Sequence, residues 1–306
     1  MKKSFSGYYK DKDLEDILKS NDILIVLDSS VLCNLYGLHD EVWKPILSML
    51  DKKRNCLWLP YIMASNYHRG IFPILVNKIQ LLVNLKNKLQ RTTDLLNSLP
   101  FSCLDDQMFK ESSSRLSKRL TREIAIIKQR GKKDSDIREA ISKLYNGRVG
   151  ASNNDPDPKS FGISSYNSEV TEADALSEVG QSVVTTKSAV NDQHKNSNPN
   201  DIILHTLIKL SKDKNKDILY VISGPSDYWS VFIGRTSYGP NPEHQSYFNR
   251  NTNNHSFYCY TFASFMQKLS ACIGETLSAE IRRSLNKLSY GDMLQNDEGD
   301  FMLSNI

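Results

Sequence analysis

At 306 residues, with 39% hydrophobic content and a formal net charge of +4, the chain is long enough for one large domain or two small ones with a sizeable core. No apolar stretch approaches the roughly 18 residues that a membrane span needs, and the charge permits a nucleic-acid partner without arguing for one. The five cysteines (Cys33, Cys56, Cys103, Cys259, Cys272) are scattered, odd in number and form no CxxC pair, so reduced thiols in a cytoplasmic protein are expected.

Met1-Lys2-Lys3 is basic but leads into no apolar core, so no signal peptide is expected. A short helix is predicted over Asp13–Lys19. Ile23-Leu24-Ile25-Val26-Leu27 reads as a parallel strand buried on both faces, and Asp28 closes it. In open α/β sheets that carboxyl edge is where ligands bind. Helical spacing follows in Ser29–Leu38 and again in Trp43–Leu50. Cys56–Pro60 is predicted as a second strand, ended by Pro60, and a helix after it carries Asn66, Tyr67, His68 and Arg69.

Leu75, Ile79, Leu82, Leu89 and Leu96 recur at helical spacing and mark a long amphipathic helix over Pro73–Leu99, stopped by Pro100. A second stripe runs through Leu116, Leu120, Ile124, Ile127, Ile137, Ile141 and Leu144, with Gly131 as its interruption. Together they predict a helical hairpin, residues 73–149, inserted between strands. Residues 150–199 are rich in Asn, Asp, Ser, Pro and Gly without apolar period. A mobile polar loop is expected there, with one short helix near Glu172–Glu178. Order resumes in a helix from Asp201, a third strand Ile218–Ile222, a fourth strand Phe257–Tyr260, and a helix from Phe262 to Leu288. Residues 200–288 thus form the second half of the core, and 289–306 a polar tail. Trp43 and Trp229 are expected in the core. The alternation predicts an α/β chain, one domain over 1–306, with a mainly parallel sheet of four or five strands flanked by helices.

This order directs four places toward one sheet edge: Asp28, Asn66, Asp201, and the pair Ser223–Gly224. The layout resembles the PIN-like nuclease fold, in a bacterial branch that opens with a Phe-Ser-Gly-Phe-Tyr type sequence, here Phe5-Ser6-Gly7-Tyr8-Tyr9. Leu27-Asp28-Ser29-Ser30-Val31-Leu32-Cys33-Asn34-Leu35-Tyr36 is similar to the branch's first strand and helix. Leu57-Trp58-Leu59-Pro60 and Asn66-Tyr67-His68-Arg69 resemble its second strand and its Glu-Phe-His-Arg helix. Gly147-Arg148-Val149-Gly150 resembles the turn after its hairpin. Asn200-Asp201-Ile202-Ile203-Leu204 resembles a later helix start, and Leu219–Ile222 with Asp227-Tyr228-Trp229 a strand followed by a Trp segment. The resemblance covers most of the chain except residues 151–199 and the tail.

The resemblance implies a PIN-like nuclease whose acids hold Mg²⁺ or Mn²⁺. Such a hard cation wants oxygen ligands and activates water for phosphodiester hydrolysis. Two of the four places depart from that pattern. Asn66 stands where the family has a glutamate, and Ser223 and Gly224 where it has two aspartates. Asp28 and Asp201 remain as the implied metal ligands, and Asp227 is the nearby acid that would assist them. Without the missing acids, a catalytically impaired protein with no cofactor is expected, and an active Mg²⁺- or Mn²⁺-dependent enzyme is the alternative.

Each of these residues also has a plainer reading. Asp28 after a strand, and Asn200-Asp201 before Ile202, are good helix caps. His68 and Arg69 either touch a phosphate or pack on Trp58. His205, one turn from Asp201, is either a ligand or an ordinary surface histidine. The stripe Arg115, Lys118, Arg119 and Arg122 is either a solvated helix face or a track for a phosphate backbone.

Two function classes remain. One is a pseudonuclease that binds RNA or a protein partner from its own locus, in a bacterial toxin–antitoxin or phage-defence setting. The other is an active Mg²⁺- or Mn²⁺-dependent endoribonuclease working with a reduced acidic site.

Overall fold

Five consecutive aliphatic residues, Ile23–Leu27, form the first strand (β1) of the computed structural model and are buried along their whole length. The structure describes residues 14–20, 22–98, 106–151, 199–233 and 236–289. The Phe5–Tyr9 motif, nearly all of the polar 150–199 segment and the tail lie outside the described residues. By contact the chain divides into two units. One is built on the described residues of Met1–His68, Ala140–Ser165 and Asn191–Ile306, the other on those of Arg69–Glu139.

In chain order, α1 (Leu14–Lys19) precedes β1, and α2 (Ser29–Leu35) and α3 (Asp40–Asp51) follow it. Then come α4 (Tyr61–Ser98), α5 (Asp106–Arg130) and α6 (Asp136–Leu144). The later part holds α7 (Pro199–Lys214), β2 (Asp217–Ile222), β3 (Ser230–Ile233), β4 (Thr236–Pro240) and α8 (Pro242–Asn251). It ends with β5 (Phe257–Thr261), α9 (Phe262–Cys272) and α10, residues 279–289.

In the first unit β1, β2 and β5 form a parallel sheet in the order β1-β2-β5. The register places Val26 beside Tyr220 and Tyr220 beside Cys259, so these three share one face. Buried strands of this kind hold the two faces of a parallel sheet under helices, as their aliphatic run requires. On the far side of β1, Leu57 bridges Ile25 and Leu59 bridges Val149, both in parallel sense. The expected second strand at Cys56–Pro60 is therefore reduced to single bridges. A 3₁₀ turn occupies Arg54–Cys56 and α4 starts at Tyr61, leaving too few residues for a ladder. The Gly147–Gly150 turn closes this edge, with Leu59 N donating to Arg148 O at 3.0 Å and Gly150 N to Leu59 O at 2.9 Å.

The antiparallel pair β3–β4 and helix α8 lie in a stretch where no element was expected. A signal for α8 was present: Asn241 caps it, accepting from Glu243 N, and Pro242 opens it.

In the second unit, α4 and α5 run in opposite senses. Thr93 and Ser113 hydroxyls lie 2.8 Å apart, and Lys86 donates to Thr121 Oγ1 at 3.0 Å. The sequence predicts two helices on either side of Pro73; the structure has one, 38 residues long, with Pro73 inside. Pro73 is exposed, so the carbonyl it leaves without a helical donor can turn to water. Among the described residues no helix is long and apolar enough to cross a membrane.

The helix expected to run from Phe262 to Leu288 breaks instead. Gly274 adopts φ +69°, Glu275 N donates to Ser270 O at 2.9 Å and Gly274 N to Ala271 O at 3.2 Å, the paired bonds of a Schellman end. A Cβ at Gly274 would meet nothing within 4 Å, so the cost of adding one is conformational only. Gly274→Ala is expected to destabilise by about 1–2 kcal/mol, a fall of a few degrees in a thermal melt.

Candidate functional site

The carboxyl end of β1 delivers Asp28, half-buried, to the edge between β1 and β2. Its backbone N donates to Val221 O at 2.8 Å, extending the ladder by one bond. Its side chain caps α2 by accepting from Ser30 N at 3.0 Å. The Ser30 hydroxyl donates to the same oxygen, Oδ2. The other oxygen, Oδ1, accepts from Tyr220 Oη at 2.7 Å. Tyr220 reaches it because it shares the sheet face of Val26 and Asp28. The one proton of Ser30 goes to Asp28, so at 3.0 Å from Ser223 Oγ it accepts and Ser223 donates. A chain of hydroxyls thus converges on one carboxylate.

Its charge is felt by the neighbours. The Tyr220 hydroxyl is pushed well above the usual phenol range, by burial first and then by Asp28. The Cys33 and Cys259 thiols are both pushed up to about 12, by burial above all, with Asp28 adding to it. Both stay protonated and are unsuited to ligate a metal.

Asp201 sits in the first turn of α7, where a carboxylate interacts favourably with the helix dipole. It accepts a hydrogen bond from Tyr228 Oη. Trp229, buried, lies between the two systems, with its ring 4.7 Å from Tyr220 and 4.8 Å from Tyr228. The His244 ring lies 4.3 Å from that of Tyr228. Burial lowers the His244 pKa below 6.5, and the charges of Asp201 and Glu243 oppose the shift.

The other expected positions are less connected. Asn66 and Asp227 are exposed, and neither hydrogen-bonds to Asp28 or Asp201. Tyr67, beside Asn66, points inward, its hydroxyl 2.7 Å from that of Tyr36. Gly224 is pinned: a Cβ there would lie 2.7 Å from Ser289 O. His205 is exposed and faces Tyr247 edge-on at 6.0 Å. His68 is exposed, its ring against Tyr67, and Lys214 covers the Trp58 indole at 4.1 Å. Trp43 and Trp229 are both buried. Arg115, Lys118, Arg119 and Arg122 are exposed on α5, and Arg115 pairs with Glu111 at 3.5 Å.

The donor set is sparse for a divalent ion. Such an ion takes about six oxygens, with carboxylates among them. Asp28 Oδ2 already accepts two hydrogen bonds, as many as its lone pairs allow, and Oδ1 accepts a third. Ser223 is turned to Ser30, and Gly224 offers no side chain. Among the described residues no three of His, Cys, Asp and Glu gather as a metal site would require. Sequence reasoning missed Ser30, Tyr220, Tyr228 and His244. The Asp28-Ser29-Ser30 spacing of a side-chain cap was legible; the reach of Tyr220 needed the register.

Residues 24–161 match the family model described as a PIN like domain. That stretch includes Asp28, Asn66 and the Gly147–Gly150 turn, and it ends before Asp201. No curated protein and no solved structure matches the chain.

Two outcomes follow from the geometry. Gly224→Ala is expected to destabilise by about 1–3 kcal/mol in urea unfolding, because main chain stands on both sides of the clash, while Ser223→Ala costs about 1 kcal/mol or less. For His244, the lowered folded pKa means that the unfolded chain binds the extra proton first. Stability is full above pH 6.5 and declines as the pH falls below it. Unfolding measured at about pH 7.5 and 5.5 should show a smaller acid loss in His244→Asn than in the wild type.

Proposed function

We propose that this chain, which belongs to the PIN-like domain family, is a nuclease fold that binds RNA and has lost cleavage. One observation carries the reading: both oxygens of the strand-end acid, Asp28, are engaged by protein donors. Phosphodiester hydrolysis in this family calls for a metal that is both held and aimed. The loss of carboxylate ligands costs orders of magnitude in rate. Asn66, Ser223 and Gly224 leave Asp28 and Asp201 as the remaining acids of the expected set, and each accepts from a tyrosine hydroxyl.

Binding rests on α5. Arg115, Lys118, Arg119 and Arg122 recur at three and four and are all exposed, so they form one basic track. A single strand laid along it would be held through its phosphates, without regard to sequence. The family resemblance points to a toxin–antitoxin or defence locus as the setting.

Incubation of the purified chain with labelled single-stranded RNA, with Mg²⁺, with Mn²⁺ and with EDTA, should show no metal-dependent cutting. Cutting that needs metal and disappears in Asp28→Asn would establish the active endoribonuclease instead. In anisotropy titrations, Arg119→Glu with Arg122→Glu should weaken RNA binding about tenfold or more and reduce the log–log salt slope by about two. An unchanged slope would remove α5 from the interface.

A further inference from the structure

Helix α4 carries leucines on two faces. The inner row, Leu75, Ile79, Leu82, Leu89 and Leu96, shares a face with Lys86 and Thr93, which bond to α5. Leu75 and Ile79 are 3% exposed. The outer row is a different set: Leu81, Leu85 and Leu95 are 68%, 49% and 66% exposed, with exposed Lys88 and Thr92 between them. The steps along Leu81, Leu85, Lys88, Thr92 and Leu95 are four, three, four and three. Three of these five positions are apolar, and the spacing is one that a helix packed alongside can match. At 100° per residue the five positions fall within an arc of roughly 80°, about 120° away from the inner row. Single exposed leucines are ordinary; three on one seam about 21 Å long are a surface built to be covered.

We infer that this seam docks an amphipathic helix of a partner protein, with leucines along its own seam and acidic residues flanking them. A period of 3.5 is matched by another helix laid nearly parallel to α4. A second copy of this chain fits poorly. A parallel in-register pairing sets Lys88 against Lys88, and so does an antiparallel pairing about the seam's centre, with Arg91 beside it. Like charges at such places oppose self-pairing. The cations on and beside the seam, Lys88 and Arg91, select carboxylates in the partner, while Asp94 falls on the far side of the helix.

The test uses the full chain and a synthetic helical peptide of about four heptads, Leu at a and d, with Glu at e and g in one version and Lys in the other. Each is fluorescently labelled and titrated by anisotropy. The Glu peptide should bind saturably, and the Lys peptide about tenfold more weakly or worse. The variant Leu81→Gln/Leu85→Gln/Leu95→Gln should weaken the Glu peptide about tenfold or more. Its melting temperature should stay within a degree or two of the wild type, since Gln and Leu have similar helix propensity and these sites are exposed. Absence of saturable binding, or equal binding of the two peptides, overturns the inference. So does loss of affinity in Arg119→Glu/Arg122→Glu but not in the leucine variant, which would place the peptide on α5. A dimer in light scattering that the leucine variant converts to monomer assigns the seam to a second copy. Weakened single-stranded RNA binding with unchanged peptide binding assigns it to nucleic acid. A large fall in melting temperature shows that the leucines pack within the chain.

Discussion

A half-buried carboxylate at the end of a buried strand needs compensation, and the way Asp28 obtains it organises its surroundings. Low local dielectric makes an unpaired charge there costly, so it must find a cation or several hydrogen-bond donors. Here it finds donors: the Ser30 amide and hydroxyl on one oxygen and the Tyr220 hydroxyl on the other, with Ser223 supporting Ser30. The same contact starts α2 and ties β1 to β2. Burial first, with this negative charge adding to it, keeps protons on Tyr220, Cys33 and Cys259.

Much of the core was legible because it follows from one-dimensional rules. Five aliphatic, β-branched-rich residues in a row read as a strand buried on both faces, and Asp28 after them marks where the sheet edge lies. Ile218–Ile222 and Phe257–Tyr260 were legible for the same reason. The failures were of other kinds. Pro73 reads as a boundary, yet an exposed proline in a long helix costs only a local bond that water replaces. Gly274 was passed over because apolar spacing continues beyond it, while its positive φ ends the helix. The stretch holding β3, β4 and α8 is polar and short-patterned, so only the Asn241–Pro242 cap announced an element.

At the site, residue types were legible but their partners were not. Asp28 and Asp201 can be named from strand and helix ends. That each is claimed by a tyrosine depends on alignment between strands and on a turn after β2, information that no spacing carries. The second leucine row of α4 escaped for a related reason. A period near 3.5 to 3.6 was detected once and assigned to the face that packs on α5; a second row, offset by one position, hides inside the same leucine-rich text. A helix that is apolar on two faces has two packing obligations, and α5 satisfies one of them.

Gly224 shows why an acidic side chain there is not one substitution away. The main chain of α10 has closed in there, and a Cβ would fall 2.7 Å from Ser289 O. Ser289 is itself committed, its hydroxyl accepting from Ala263 N at 3.2 Å at the start of α9. An acid at position 224 would therefore have to displace α10 and loosen the first turn of α9 before it could face Asp28. Ser223 has no such clash, but a carboxylate there would lose the donor that supports Ser30 and bring a second negative charge toward Asp28. Ser223 and Gly224 are thus both held by contacts that an acid would disturb.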